Sequence, residues 1–179
     1  MAQSPSVARV AHALRDAGLD NAIVELADTT RSAAEAAQAI GCDVAQIAKS
    51  VVFRSGGGRP VLVVASGVNR VDEVKLAALL GDRILKADAA YVRERTGFAI
   101  GGVAPIAHAT PPHVFLDQDL FAFARIYAAA GSPFAVFALA PDGRSAAARR
   151  GPSHCPSEQL DRQTELAAGP RGSPAHPHR

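Results

Sequence analysis

Few residue types in this chain stand where they could do chemistry. Three lysines (Lys49, Lys75 and Lys86) accompany sixteen arginines. A lysine retained in so arginine-rich a sequence hints at a task for a compact ammonium rather than a guanidinium fork. Lys49 is placed where a short helical turn gives way to the apolar run Val51-Val52-Phe53, and strand ends are where side chains reach a cleft. Its ammonium suits a phosphate or carbonyl oxygen; a lysine snorkelling from a strand end to solvent would look the same in sequence. Gly101-Gly102, followed by Pro105, interrupts an apolar segment. Paired glycines let a ligand approach the main chain and offer N–H groups to a carbonyl oxygen or the oxyanion formed from it. A bulge or tight bend is the structural alternative. Asp117 follows Val114–Leu116 and could anchor a loop, orient a ligand hydroxyl or cap the next helix.

Other candidates are weaker. His108 and His113 flank Thr110-Pro111-Pro112 without a third ligand at suitable spacing, so no metal site is expected. Cys42 has no neighbouring histidine and reads as structural. His154-Cys155 and His176-x-His178 suggest at most adventitious metal binding. Dinucleotide, phosphate-loop, serine-hydrolase and zinc-protease signatures are missing, which leaves no cofactor expected.

The elements that must position these residues alternate between strand and helix. Ser4-Pro5 opens a helix that stops near Gly18. Residues 22–26 form a short strand. Ser32-x-x-Glu35 is a capping box before an alanine-rich helix ending at Gly41, and Asp43-x-x-Gln46 opens one further turn. Residues 49–54 and 60–65 form a β-hairpin around Gly56-Gly57-Gly58. A helix follows Gly67 and Asn69 and closes at Gly81, residues 83–86 are a strand, and Asp88 caps a helix that Gly97 ends. Residues 97–108 are an apolar segment punctuated by glycine and proline, and His113–Leu116 is a strand. The alanine-rich run Leu120–Ala130 reads as a helix stopped by Gly131, before a last strand over Phe134–Ala140. The expected fold class is α/β: one domain with a mixed, twisted, partly barrel-like sheet flanked by helices.

The 179 residues divide in character. Residues 1–142 carry 13 Lys and Arg against 14 Asp and Glu, so this expected domain is near neutral. It offers no basic shell for non-specific nucleic-acid binding, and any nucleic acid must be held by a few placed cations. Residues 143–179 carry a charge of +3, five of the twelve prolines and no Val, Ile, Phe or Tyr, and are expected to be a disordered tail. No apolar run is long enough to span a membrane. The opening MAQSPSVARV lacks the pattern of a signal peptide, and two cysteines make no disulfide scaffold, so a cytoplasmic setting is expected.

Taken in order, several segments resemble one family. They are Thr29-Thr30-Arg31-Ser32, Glu35-Ala36-Ala37, Ile40-Gly41-Cys42, Ile47-Ala48-Lys49-Ser50-Val51-Val52-Phe53, Val63-Val64-Ala65-Ser66-Gly67, Gly97-Phe98-Ala99-Ile100-Gly101-Gly102-Val103-Ala104-Pro105 and Val114-Phe115-Leu116-Asp117. Over about residues 5–141 the chain resembles the YbaK/ProX family, free-standing relatives of the editing domain inserted in bacterial prolyl-tRNA synthetases. The resemblance implies a trans-editing deacylase. It would hydrolyse the ester of a mischarged small amino acid (Ala, Cys, Ser or similar) on the 3′ end of tRNA, chiefly tRNA for proline. Lys49, Gly101 and Gly102 would be the catalytic group, with Thr30, Ser50, Phe53, Pro105, Asp117 and Gly131 binding substrate. Prolyl-tRNA synthetase or an elongation factor would be a partner.

Two departures stand out. Members specialised for cysteinyl-tRNA tend to carry Ser-Gly-Gly where this chain has Ala129-Ala130-Gly131, and the Leu-rich helix usual after the last strand is replaced by the polar tail from Asp142-Gly143. The frameshift or divergence that would explain the second is testable in the coding DNA. Two further readings compete: a non-catalytic module gripping tRNA ends or a synthetase, and a hydrolase of small esters or amides.

Overall fold

The computed structural model describes residues 4–19, 23–27 and 32–141. Thr30 and the expected tail from residue 143 lie outside them. Three features of the sequence set the helices. Ser4 accepts from the Val7 N–H at the start of α1 (Pro5–Asp16), with proline in the first turn. Ser32 accepts from the Glu35 N–H at the start of α2 (Ala33–Ile40), and Gly41 closes it in a left-handed conformation. Asp72 and Asp88 cap α3 (Glu73–Leu80) and α4 (Ala89–Thr96), which end on Gly81 and Gly97. Each cap satisfies N–H groups that a helix leaves orphaned.

Seven strands form one mixed sheet: β1 (Ile23–Glu25), β2 (Ile47–Ser55), β3 (Pro60–Ser66), β4 (Ile84–Lys86), β5 (His113–Leu116), β6 (Ile126–Ser132) and β7 (Ala135–Leu139). The order is β1-β7-β6-β2-β3-β5, with β4 added to the outer end of β2. The β2–β6 and β3–β5 pairs are parallel and the rest antiparallel, and the sheet does not close into a barrel. On one face α1 and the Phe98–Ala104 segment bury Val10, Leu14, Leu62, Phe98 and Phe137. On the other, α3 covers Phe53, Val61, Val63, Ala65 and Phe115 through Leu76. α2 seals a smaller cluster of Ala36, Ala37 and Ile47.

One expected element is corrected. The helix over Leu120–Ala130 does not form; Gln118–Ala122 makes a short 3-10 turn, and Ile126–Ser132 is strand β6. Alanine favours helix locally, but here the run lies between β2 and β7 and pairs with both. Burial and sheet pairing override a propensity worth only tenths of a kcal/mol per residue. The helix expected to follow Asn69 starts only at Glu73, where Asp72 caps it.

Candidate active site

The site begins as a gap in the sheet. Along β2, Ile47 and Ala48 pair with Tyr127 and Ala128 of β6. Further along, Phe53–Ser55 pair with β4. Between them, residues 49–52 have no strand beside them on that edge among the described residues, while β3 pairs their other edge throughout. Ser55 donates its N–H to Arg59 across the hairpin, so by strand alternation the main-chain groups of Ser50 and Val52 face the open edge. Strand β6 veers away here through an irregularity between Ala129 and Ser132, where Gly131 has φ +95°.

A cavity of about 510 Å³ opens where the strands part. Its wall includes Lys49, Ser50 and Val51 from β2, Ala128 and Ala129 from β6, Ala33 and Ala36 from α2, and Gly67, Gly101 and Ser132 from loops. The volume falls within the ordinary range for small-ligand sites. Small side chains leave the space open. Among the described residues no carboxylate, imidazole or thiol lines it, and the one charged group is Lys49.

The Lys49 ammonium donates to the carbonyl oxygens of Gly67, at 3.4 Å, and of Asn69. Burial pulls its pKa below the ordinary 10.5, and the nearby Arg70 lowers it further, while Asp117 opposes both. The loop that holds Lys49 is itself held. Asp117 is 1% exposed and accepts from the Ser66 N–H at 2.9 Å, the Asn69 side-chain amide at 2.8 Å and the Asp119 N–H at 3.0 Å. It therefore both caps the 3-10 turn and ties the 66–69 loop against β5. Gly67 belongs to the same loop because a Cβ there would sit 2.3 Å from the Val44 carbonyl oxygen.

The sequence-derived candidates sort as follows. Lys49, Ser50 and Gly101 line the cavity together. Gly101 has φ +90°, and its N–H has no partner among the described residues. Gly102 lies behind it: its N–H closes a turn on Ala99 O at 3.0 Å, and a Cβ would meet Ser132 main chain at 2.8 Å. The pair is thus a loop turn packed on the end of β6, not a strand bulge. Asp117 stands behind the Lys49 loop. Phe53 is 6% exposed in the α3-side core, away from the lining. Pro105 is half-buried outside the lining. Gly131 faces α1, where a Cβ would sit 2.7 Å from Ser6 O.

Sequence reasoning tied Ala129 to specificity only through the family resemblance and missed Ala128, because the run containing both read as helix; Ser132, just past the glycine stop, carried no signal. It also gave Gly67 no place in the site, although the residue stands after a strand and within the resembling segment Val63–Gly67. His108 accepts no catalytic part: its Nε2 bonds Ala104 O at 2.6 Å and its ring stands edge-on to Phe98. The Cys42 thiol is pushed up by burial and by Asp43, which disfavours the thiolate. No cluster suited to a metal occurs among the described residues, and none of their helices is long and apolar enough to cross a membrane.

The sequence matches the family model for the aminoacyl-tRNA editing domain over residues 27–146. It is 34% identical over 122 residues to the uncharacterized protein YwhH of Bacillus subtilis (strain 168), covering 68% of this chain and 78% of that protein. Among solved structures, a candidate trans-editing enzyme for prolyl-tRNA synthetase superposes with a TM-score of 0.77 at 38% identity, covering 94% of this chain and all of the other. A chain solved in work on computational grafting of epitope backbones onto scaffold proteins gives 0.78 at 37% identity, with the same coverage. The hypothetical protein APE2540 gives 0.69 at 27% identity over 78% of this chain and 94% of its own.

Proposed function

Because the chain belongs to the aminoacyl-tRNA editing domain family, we infer that it is a trans-acting deacylase that removes a small, wrongly attached amino acid from tRNA, with tRNA for proline as the first candidate. The observation that carries this reading is that Lys49 and Gly101 both line one cavity walled largely by alanines. The neighbour described as a candidate trans-editing enzyme for prolyl-tRNA synthetase supports the choice of tRNA.

The chemistry follows from the described wall. It presents no side-chain base or activated nucleophile among the described residues, and an aminoacyl ester is already activated, so the attacking group is water and the labile partner is the substrate's own ester. Water oxygen adds to the acyl carbon, and the carbonyl oxygen becomes an oxyanion. The intermediate collapses with cleavage of the bond to the ribose oxygen, which recovers a proton and leaves as a hydroxyl. The neighbouring ribose hydroxyl orients the water and relays the proton. The protein supplies position and charge: the Gly101 N–H donates to the oxyanion, and Lys49 holds a substrate oxygen through charge. Ala33, Ala129 and their neighbours admit a short acyl group and exclude branched ones. Rejection of larger groups is strict, whereas preference among similar small ones is worth only about 1–3 kcal/mol per methylene.

Deacylation of tRNA for proline charged in turn with Ala, Cys, Ser, Thr and Pro tests the proposal. Release of one or more small residues, lost by at least about 100-fold in Lys49→Ala with an unchanged circular dichroism spectrum, is the expected result. A K49A variant that binds tRNA more weakly but cleaves at the wild-type rate would favour a binding module instead. Turnover of a free aminoacyl ester with no advantage for tRNA would favour a small-ester hydrolase.

A further inference from the structure

A second cleft, of about 410 Å³, lies on the far side of the Ser132-Pro133 wall, and both residues line both spaces. Pro5, Ser6 and Arg9 of the α1 start, Arg93 of α4 and the Gly97–Ala99 segment complete it. Its polar character is cationic. The Arg9 guanidinium lies 4.4 Å from the centre of the Phe98 ring and donates to Gly97 O at 3.1 Å and more weakly to Thr96 O. These contacts fix the group in place while leaving it exposed. Arg93 is also exposed and, like Arg9, has no carboxylate within ion-pair distance among the described residues. No acidic side chain among the described residues lines the cleft.

Two unneutralised guanidinium groups in one concave space, in a domain otherwise close to neutral, fit a phosphate group. The shared wall says which phosphate. A chain whose last unit occupies the first cavity can pass over Ser132-Pro133 into the second. Building on the deacylase reading above, the geometry points to the Arg9–Arg93 cleft as the seat of the phosphodiester that precedes the terminal adenosine of a single-stranded RNA 3′ end. Sequence is not read there; the cleft adds affinity and register, as phosphate contacts do elsewhere. It also explains how a near-neutral domain can prefer an RNA-borne ester over a free one.

The test compares Arg93→Gln and Arg93→Lys with wild type. An aminoacylated hairpin ending in CCA and the 3′-aminoacyl ester of adenosine are hydrolysed side by side. The ratio of kcat/KM on the hairpin to that on the nucleoside ester is expected to fall about 10-fold in R93Q and to recover partly in R93K, because each charged contact to phosphate contributes on the order of one decade. A ratio unchanged in R93Q overturns the inference. Binding of the uncharged hairpin, read by fluorescence anisotropy, does not depend on cleavage. R93Q should weaken it and reduce the slope of log K against log salt by about 0.7, while a hairpin lacking the CCA overhang should show no difference between the proteins. If wild type cleaves neither ester, the deacylase reading fails, and the anisotropy result still decides the cleft. Equal loss of binding for both hairpins would assign Arg93 to the RNA body and overturn the placement.

Discussion

At the scale of single residues, Lys49 is defined by what surrounds it. Burial and Arg70 act against its charge, and the carbonyls of Gly67 and Asn69 act for it. Its pKa lies below 10.5 in the folded chain, so between that lowered value and 10.5 the unfolded chain binds more protons. Stability contributed by this group therefore rises with pH across that window, while any function needing the ammonium declines there. Arg70→Gln removes a like charge and should move the Lys49 titration upward; Asp117→Asn removes an opposing one and should move it down. Carbon-13 NMR of lysine Cε reads both directly, and a titration unmoved by R70Q would mean that Arg70 does not contribute to the lowering. Asp117→Ala has a second consequence. It strands the Ser66 and Asp119 N–H groups and one Asn69 amide bond, each orphan costing about 1–3 kcal/mol. A clear fall in Tm with loss of deacylation is expected, and an unchanged Tm would show that the 66–69 loop is held by other means.

At the scale of elements, the cavity exists because two parallel strands meet for one step and then part. The device is at the end of β6. Gly131 combines φ +95° with main chain of α1 at 2.7 Å from where a Cβ would be. Gly131→Ala should cost about 1–3 kcal/mol from backbone strain before the clash is added, seen as a lower urea midpoint with the m-value retained. Ala129 lies on the cavity side of the same strand. Ala129→Leu should fill the space and abolish deacylation of the smallest acyl groups, with Tm maintained or raised because apolar surface is buried without a new void. Retention of wild-type turnover in A129L would place the acyl group elsewhere in the cavity.

At the scale of the whole molecule, charge decides how tRNA is held. Residues 1–142 sum to −1 and residues 143–179 to +3. On the proposed function, a few cations at the site would make specific contacts, and the net positive charge of residues 143–179 would add non-specific attraction. Truncation after residue 142 should weaken tRNA binding at about 50 mM salt and make little difference at several hundred millimolar, where screening removes long-range attraction. Equal weakening at both salt concentrations would assign the segment a specific contact instead.

Much of this arrangement is legible along the chain. Capping residues at Ser4, Ser32 and Asp88, glycine stops at 41, 81 and 97, and the hairpin around Gly56–Gly58 act within a few residues of themselves, so local sequence carries them. Lys49 and Gly101 are likewise visible as unusual residues in apolar runs. What no local pattern contains is the identity of β6: the alanines of Ile126–Ala130 favour helix locally, and only pairing with β2 and β7 overrides that preference. The separation of Gly101 from Gly102, the retreat of Phe53 into the core and the tethering of Lys49 by Asp117 through Asn69 are of the same kind. Each depends on partners some 20 to 80 positions away, brought near by the crossing of strands, and a strand's sequence records which face is apolar but not which neighbour is absent beside it.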